Sequence, residues 1–112
     1  MNKQRGDAVL KLGGEAYTLR PTFAALSQLE DRTSSGLVEI VMRLSNGRWR
    51  ITDLHEVIRA GIIGADQQPP KNLGDLIIAE NVPDVARAVA EFLTNALTGG
   101  RTDGGGSGTG EG

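Results

Sequence analysis

Cysteine is absent from this chain of 112 residues, so disulfides and thiolate zinc sites are excluded. Aromatic residues are scarce, with one Trp, one Tyr and two Phe, and the core has to be assembled from Leu, Ile, Val and Ala. Histidine occurs once, at position 55, with no second histidine to complete a metal site. No apolar run approaches the ~20 residues needed to span a bilayer. The opening Met1-Asn2-Lys3-Gln4-Arg5-Gly6-Asp7 lacks the apolar stretch of a signal peptide. Neither sign of charge dominates: twelve basic and fourteen acidic residues give a net charge of −2. A nucleic-acid binder usually carries a basic face or stripe, and this balance argues against one. These absences together predict a cytoplasmic protein that takes no membrane, nucleic acid or small-molecule substrate.

What is present reads as an α+β fold of about one domain. The chain divides into a loose N-terminus over 1–6, a globular segment over 7–98 and a disordered Gly-rich tail over 99–112. Gly13-Gly14 suits a two-residue hairpin turn between strands at 8–12 and 15–20. That turn sets Leu12 opposite Glu15, Leu10 opposite Tyr17 and Ala8 opposite Leu19. Leu10, Tyr17, Ala8 and Leu19 then share one face, which must pack on helices because a lone hairpin is barely stable in water. Pro21 stops the second strand, and Thr22 can cap a helix running to about Arg32 with Phe23, Leu26 and Leu29 on its apolar face.

Four further helices follow, giving a small bundle of four to five. Leu37, Ile40, Val41 and Leu44 fall at i, i+3, i+4 and i+7, and Asn46-Gly47 ends that segment. Val38 and Met42 lie beside the stripe and either widen it or stay outside. Thr52 is the expected cap of a third helix, with Asp53 in its first turn and Leu54, Val57, Ile58 and Ile62 buried. Asn72 opens a short fourth helix with Leu73, Leu76 and Ile77, and Asp75 is placed to answer the cap. Pro83 sits in the first turn of a fifth helix with Val85, Val89, Phe92, Leu93 and Ala96 inward. Eight of the fourteen residues from Gly99 to Gly112 are glycine, too few apolar groups to offset the entropy of ordering.

Residues that could carry chemistry do not converge. His55 stands beside Glu56 on a helix, and no serine sits in a nucleophile elbow. Glu30 and Asp31 are adjacent, so they point about 100° apart on a helix and do not form a catalytic pair. Gly61-Ile62-Ile63-Gly64 has no following Lys-Ser/Thr, and the Gly104–Gly110 run has no helix after it to hold a phosphate. Gly61 reads instead as a close helix–helix contact. No catalytic residue, cofactor or metal is expected. Arg48-Trp49-Arg50 has the composition of a base-stacking or protein-contact site, although Trp49 as a partial cover over the core is the simpler reading. Arg20 reads as an ion pair with Glu30 or Asp31 across the strand–helix joint. A small DNA-binding regulator using the second and third helices as a helix-turn-helix is the less favoured alternative, because Asn46–Ile51 is long for that turn and the charge is unhelpful.

The order of a short hairpin, then Leu19-Arg20-Pro21-Thr22-Phe23, then Ala25-Leu26-x-x-Leu29-Glu30-x-Arg32-Thr33, resembles the gene-transfer-agent family of small phage tail proteins over roughly residues 6–98. The resemblance implies a tail-assembly chaperone in a bacterial host cell. Such an adaptor binds tape-measure or tail tube protein and covers surface that would otherwise aggregate; self-association is a further option. The family is also labelled a tail tube protein, so the alternative is a structural tube or connector subunit. A single hairpin against several helices disfavours that alternative, because tube proteins of this kind are usually β-rich. A Gly-rich tether also suits the longer second form in which tail chaperones are often made. The interaction surface is expected at Tyr17, Arg20, Met42 and Trp49, with the hairpin's outer edge able to accept a strand.

Overall fold

A computed structural model of the protein describes residues 6–99. It is an α+β arrangement in which an N-terminal hairpin packs on five helices. Strand β1 (Ala8–Leu12) pairs antiparallel with β2 (Glu15–Leu19) in the register set by the turn: Leu12 with Glu15, Leu10 with Tyr17, Ala8 with Leu19. Gly13 and Gly14 carry φ of 59° and 85°, a conformation that the two-residue turn needs and that only glycine adopts freely. Leu10, Leu12 and Leu19 are buried beneath the sheet. The hairpin tip is tied down by Glu80, whose carboxylate accepts the Gly13 N–H at 3.0 Å. Apart from Gly6 and Gly99, the loose terminus and the Gly-rich tail expected from the sequence lie outside the described residues.

Helix α1 (Phe23–Thr33) starts as expected at Thr22, whose hydroxyl accepts the Ala25 N–H. Its buried residues, however, are Ala25 and Leu29, and Phe23 is 87% exposed. At 100° per residue Phe23 lies about 120° around the helix from Leu29, so packing on Ala25 and Leu29 turns the ring to solvent. Of the expected stripe Phe23–Leu26–Leu29, Leu29 is buried and Leu26 packs against the core, and only Phe23 is out of place. Helix α2 (Leu37–Ser45) buries Ile40 and Leu44 and ends as expected at Asn46-Gly47, with Gly47 at φ 73°. The Arg48 N–H reaches back to the Arg43 carbonyl at 2.9 Å, the bond that closes such a helix end.

The centre of the fold is α3 (Ile51–Gly64), which packs on α1, β2, α5 (Val82–Leu97) and α4 (Leu73–Ile78). Leu54, Val57, Ile58 and Ile62 are fully buried along it, each contributing about 2 kcal/mol of transfer free energy. Its cap differs from the expectation. Arg50, not Thr52, is the N-cap residue, and Asp53 at the third helical position accepts the Arg50 N–H at 2.9 Å. Gly61 makes a close contact, but with a strand rather than a helix: a Cβ there would stand 2.7 Å from Leu19 Cβ. One turn later a Cβ on Gly64 would collide with the Arg20 carbonyl oxygen. The strand end thus lies directly on the backbone of α3, and the Arg20 N–H donates to the Gly61 carbonyl at 2.9 Å.

The last two helices close the core. α4 buries Leu73 and Ile77; Asn72 precedes it, but its side chain makes no capping hydrogen bond. α5 has Pro83 in its first turn, and Asn81 caps it by accepting the Asp84 N–H at 3.1 Å. Val85, Ala86, Val89, Phe92 and Leu93 face inward, and α2 lies across this helix.

Candidate protein-interaction surface

Two ion clusters fix the outline of the surface. Arg20 does not reach Glu30 or Asp31. Its guanidinium grips Asp7, with Nε at 3.1 and 3.2 Å from the two carboxylate oxygens and Nη2 at 3.0 Å from Oδ2. The register that pairs Ala8 with Leu19 places Asp7 opposite Arg20, so the bond is a cross-strand pair that continues the hairpin. The second cluster sits at the start of α3. Asp53 is 0% exposed and receives Arg43 from α2 (Nε 3.0 Å, Nη2 2.9 Å) and the Arg50 side chain (Nη2 2.9 Å). Burial alone would raise the Asp53 pKa; the bonds from Arg43 and Arg50 overcome that and hold it at about 2.

A third charged group links α1 to α3. Arg32 donates to Glu56 at 2.6 Å, and His55 Nδ1 lies 3.1 Å from the same carboxylate. Burial would raise Glu56, but the bonds from Arg32 and His55 pull it below the usual carboxylate range. His55 also borders an open cleft of about 510 Å³ with Arg59, Gln68, Pro70 and Lys71. No serine, threonine or cysteine lines the cleft. Among the described residues no cluster of His, Asp and Glu could hold a metal ion. No helix among them is long and apolar enough to cross a membrane.

The four residues singled out in the sequence are dispersed. Tyr17 is half-buried on the inner side of β2, and Arg20 is engaged with Asp7 at the strand end. Trp49 is half-buried in the link between α2 and α3, packed against the core. Met42 is 57% exposed on α2, one turn from Val38, which is also exposed. The pair does not widen the core; it forms an apolar strip on the outer side of α2.

Phe23, expected in the core from its spacing, is the most exposed large hydrophobic side chain among the described residues. It stands at the first position of α1, held by the Thr22 cap and the fixed backbone of Pro21. A lone exposed aliphatic residue is ordinary, but a phenyl ring almost wholly in water beside a rigid proline has the properties of an interface anchor. Its signal was available: Ala25 and Leu29, four apart, make a complete contact stripe without it.

Curated proteins and solved structures give no match to the chain. A family model matches residues 5–99, a span that contains all of the described fold, and the chain belongs to the family described as phage tail tube protein, GTA-gp10.

Proposed function

We propose that the protein is a non-enzymatic structural component of a phage-type tail, working at or beside the tail tube through contacts with other tail subunits. The observation that carries this reading is the extent of the family match, 5–99, which includes the hairpin and all five helices. The family description supports a tube-associated subunit ahead of the assembly chaperone expected from the sequence. The exposed apolar groups Phe23, Val38 and Met42 give such a subunit surface for neighbours.

A second reading rests on a specific observation. Among the described residues the sheet has only two strands, and a tube wall built from sheet needs more. A helical adaptor that holds tape-measure or tube protein in the host cytoplasm before polymerisation, using the same exposed groups, accounts for that architecture. Quantitative mass spectrometry of purified particles separates the two. Many copies per particle support the structural subunit. Absence from particles, together with co-purification of tape-measure or tube protein from cells, would sink it in favour of the chaperone.

A further inference from the structure

The hairpin has two outer edges, and among the described residues only that of β2 is closed, at Thr18 and Arg20. A two-residue turn makes Leu12 and Glu15 a hydrogen-bonded pair, so Leu10–Tyr17 and Ala8–Leu19 are bonded pairs as well. The residues between them point their N–H and C=O groups outward: Ala16 and Thr18 on β2, Val9 and Lys11 on β1. The closed edge confirms this alternation. The Thr18 N–H donates to Gln67 Oε1 at 3.3 Å, and two residues on the Arg20 N–H donates to Gly61. On β1, Val9 and Lys11 make no backbone bond outside the hairpin among the described residues. Helix α5 runs beside this edge and leaves an open groove of about 210 Å³ lined by Val9, Ala88, Glu91, Phe92 and Asn95.

We propose that β1 pairs with β1 of a second copy of this chain, antiparallel about a two-fold axis at Val9, to give a four-stranded sheet. The alternation requires the axis to fall on an outward residue. At Lys11 it would set two ammonium groups against each other, which opposes pairing. At Val9 it sets Val9 against the partner's Val9, Ala8 against the partner's Leu10, and Lys11 against the partner's Asp7. Apolar thus meets apolar at the axis, and no like charges are set against each other, since the partner's Asp7 carboxylate is buried and held by its own Arg20. Val9 is 61% exposed in the single chain and would be covered. Five residues a side bury less than the ~1,200 Å² of a stable specific interface, so the association is weak and concentration-dependent. The pairing holds whether the protein is a tube subunit or a chaperone.

The test uses the full chain, which has no cysteine of its own. In the proposed pairing the two Cα atoms at position 9 are about 5.5 Å apart, within disulfide range. Under mild oxidation Val9→Cys is expected to cross-link to a dimer at least about tenfold faster than Thr18→Cys on the other edge, where the N–H is taken by Gln67. Sedimentation of the unaltered chain should show a dimer that grows with concentration. Val9→Pro, which removes an outward N–H and no bond of the hairpin, should weaken that dimer at least about tenfold. Should Val9→Pro unfold the chain, Val9→Lys places like charges at the axis on an exposed site and is expected to weaken the dimer similarly. A monomer up to about 1 mM, equal cross-linking at both positions, or a dimer indifferent to both changes at Val9 would overturn the proposal. So would a chain monomeric alone whose edge binds only a strand of another tail protein.

Discussion

The two strands of the hairpin share one turn and have equal length, yet their outer edges end differently. β2 lies on α3 so closely that Gly61 and Gly64 have no room for a Cβ, and its outward N–H groups at Thr18 and Arg20 find partners. β1 ends in an exposed valine and a lysine beside an open groove. The same contrast runs through the rest of the molecule. α3 is sealed by buried Leu, Val and Ile and by the Asp53 clamp, whereas Phe23, Val38 and Met42 on the outer helices face water. Stability is therefore concentrated where α3 meets β2, α1 and α5, with the Asp53 clamp tying α2 to the start of α3.

The sharpest way to break the contrast is to force the sealed side apart. Gly64→Ala puts a methyl group onto the Arg20 carbonyl, a backbone atom that cannot step aside like the end of a flexible side chain. We expect a loss of about 3 kcal/mol or more, read by denaturant unfolding. A loss below about 1 kcal/mol would show that the seam opens easily. Asp53→Ala comes next. It leaves Arg43 and Arg50 converging on a buried space without their carboxylate, at a cost of about 3 kcal/mol. Trp49 fluorescence should report loosening of the α2–α3 link in the same variant.

Much of this arrangement was legible in the sequence. Gly13-Gly14 determines the register of both strands without further information, and Asn46-Gly47 and Pro83 mark helix ends through backbone geometry alone. What stayed hidden depended on contacts between distant segments. Arg43 and Asp53 stand ten positions apart on different helices, and no periodicity links them. Gly64 reads as a helix terminus until the strand that lies on it is placed. Phe23 shows a different failure: an apolar residue at helical spacing looks like core, and the choice between two adjacent faces was made by the small Ala25 and not by the large ring. The Arg20–Asp7 pair was within reach, since extending the hairpin register by one step places the two opposite each other.

Acid probes the sealed side more gently. Asp53 is held at about 2 against its ordinary 3.8. A depressed carboxylate contributes its stability fully above the ordinary value and loses it as pH falls through the folded one. The contribution is about 2 kcal/mol, lost between roughly pH 4 and pH 2. Other carboxylates titrate there too, so the measurement is the difference in acid unfolding between the unaltered chain and Asp53→Asn. The unaltered chain should lose more stability over that window; parallel curves would show that the two arginines do not hold the carboxylate charged.

Phe23→Ala should have the smallest effect on the fold and a large one on function. The ring is exposed and the Thr22 cap does not depend on it, so unfolding free energy should change by no more than about 0.5 kcal/mol. The expected consequence is on association with tail proteins, where an exposed aromatic anchor commonly carries 2 kcal/mol or more, about thirtyfold in affinity. Co-purification from cells carrying the whole tail gene cluster, compared with Gln28→Ala elsewhere on α1, reads that difference. Equal recovery for both variants would remove Phe23 from the interface. Loss of stability in Phe23→Ala would show that the ring supports the core after all, and the division between a sealed interior and a free outer face would then have to be redrawn at α1.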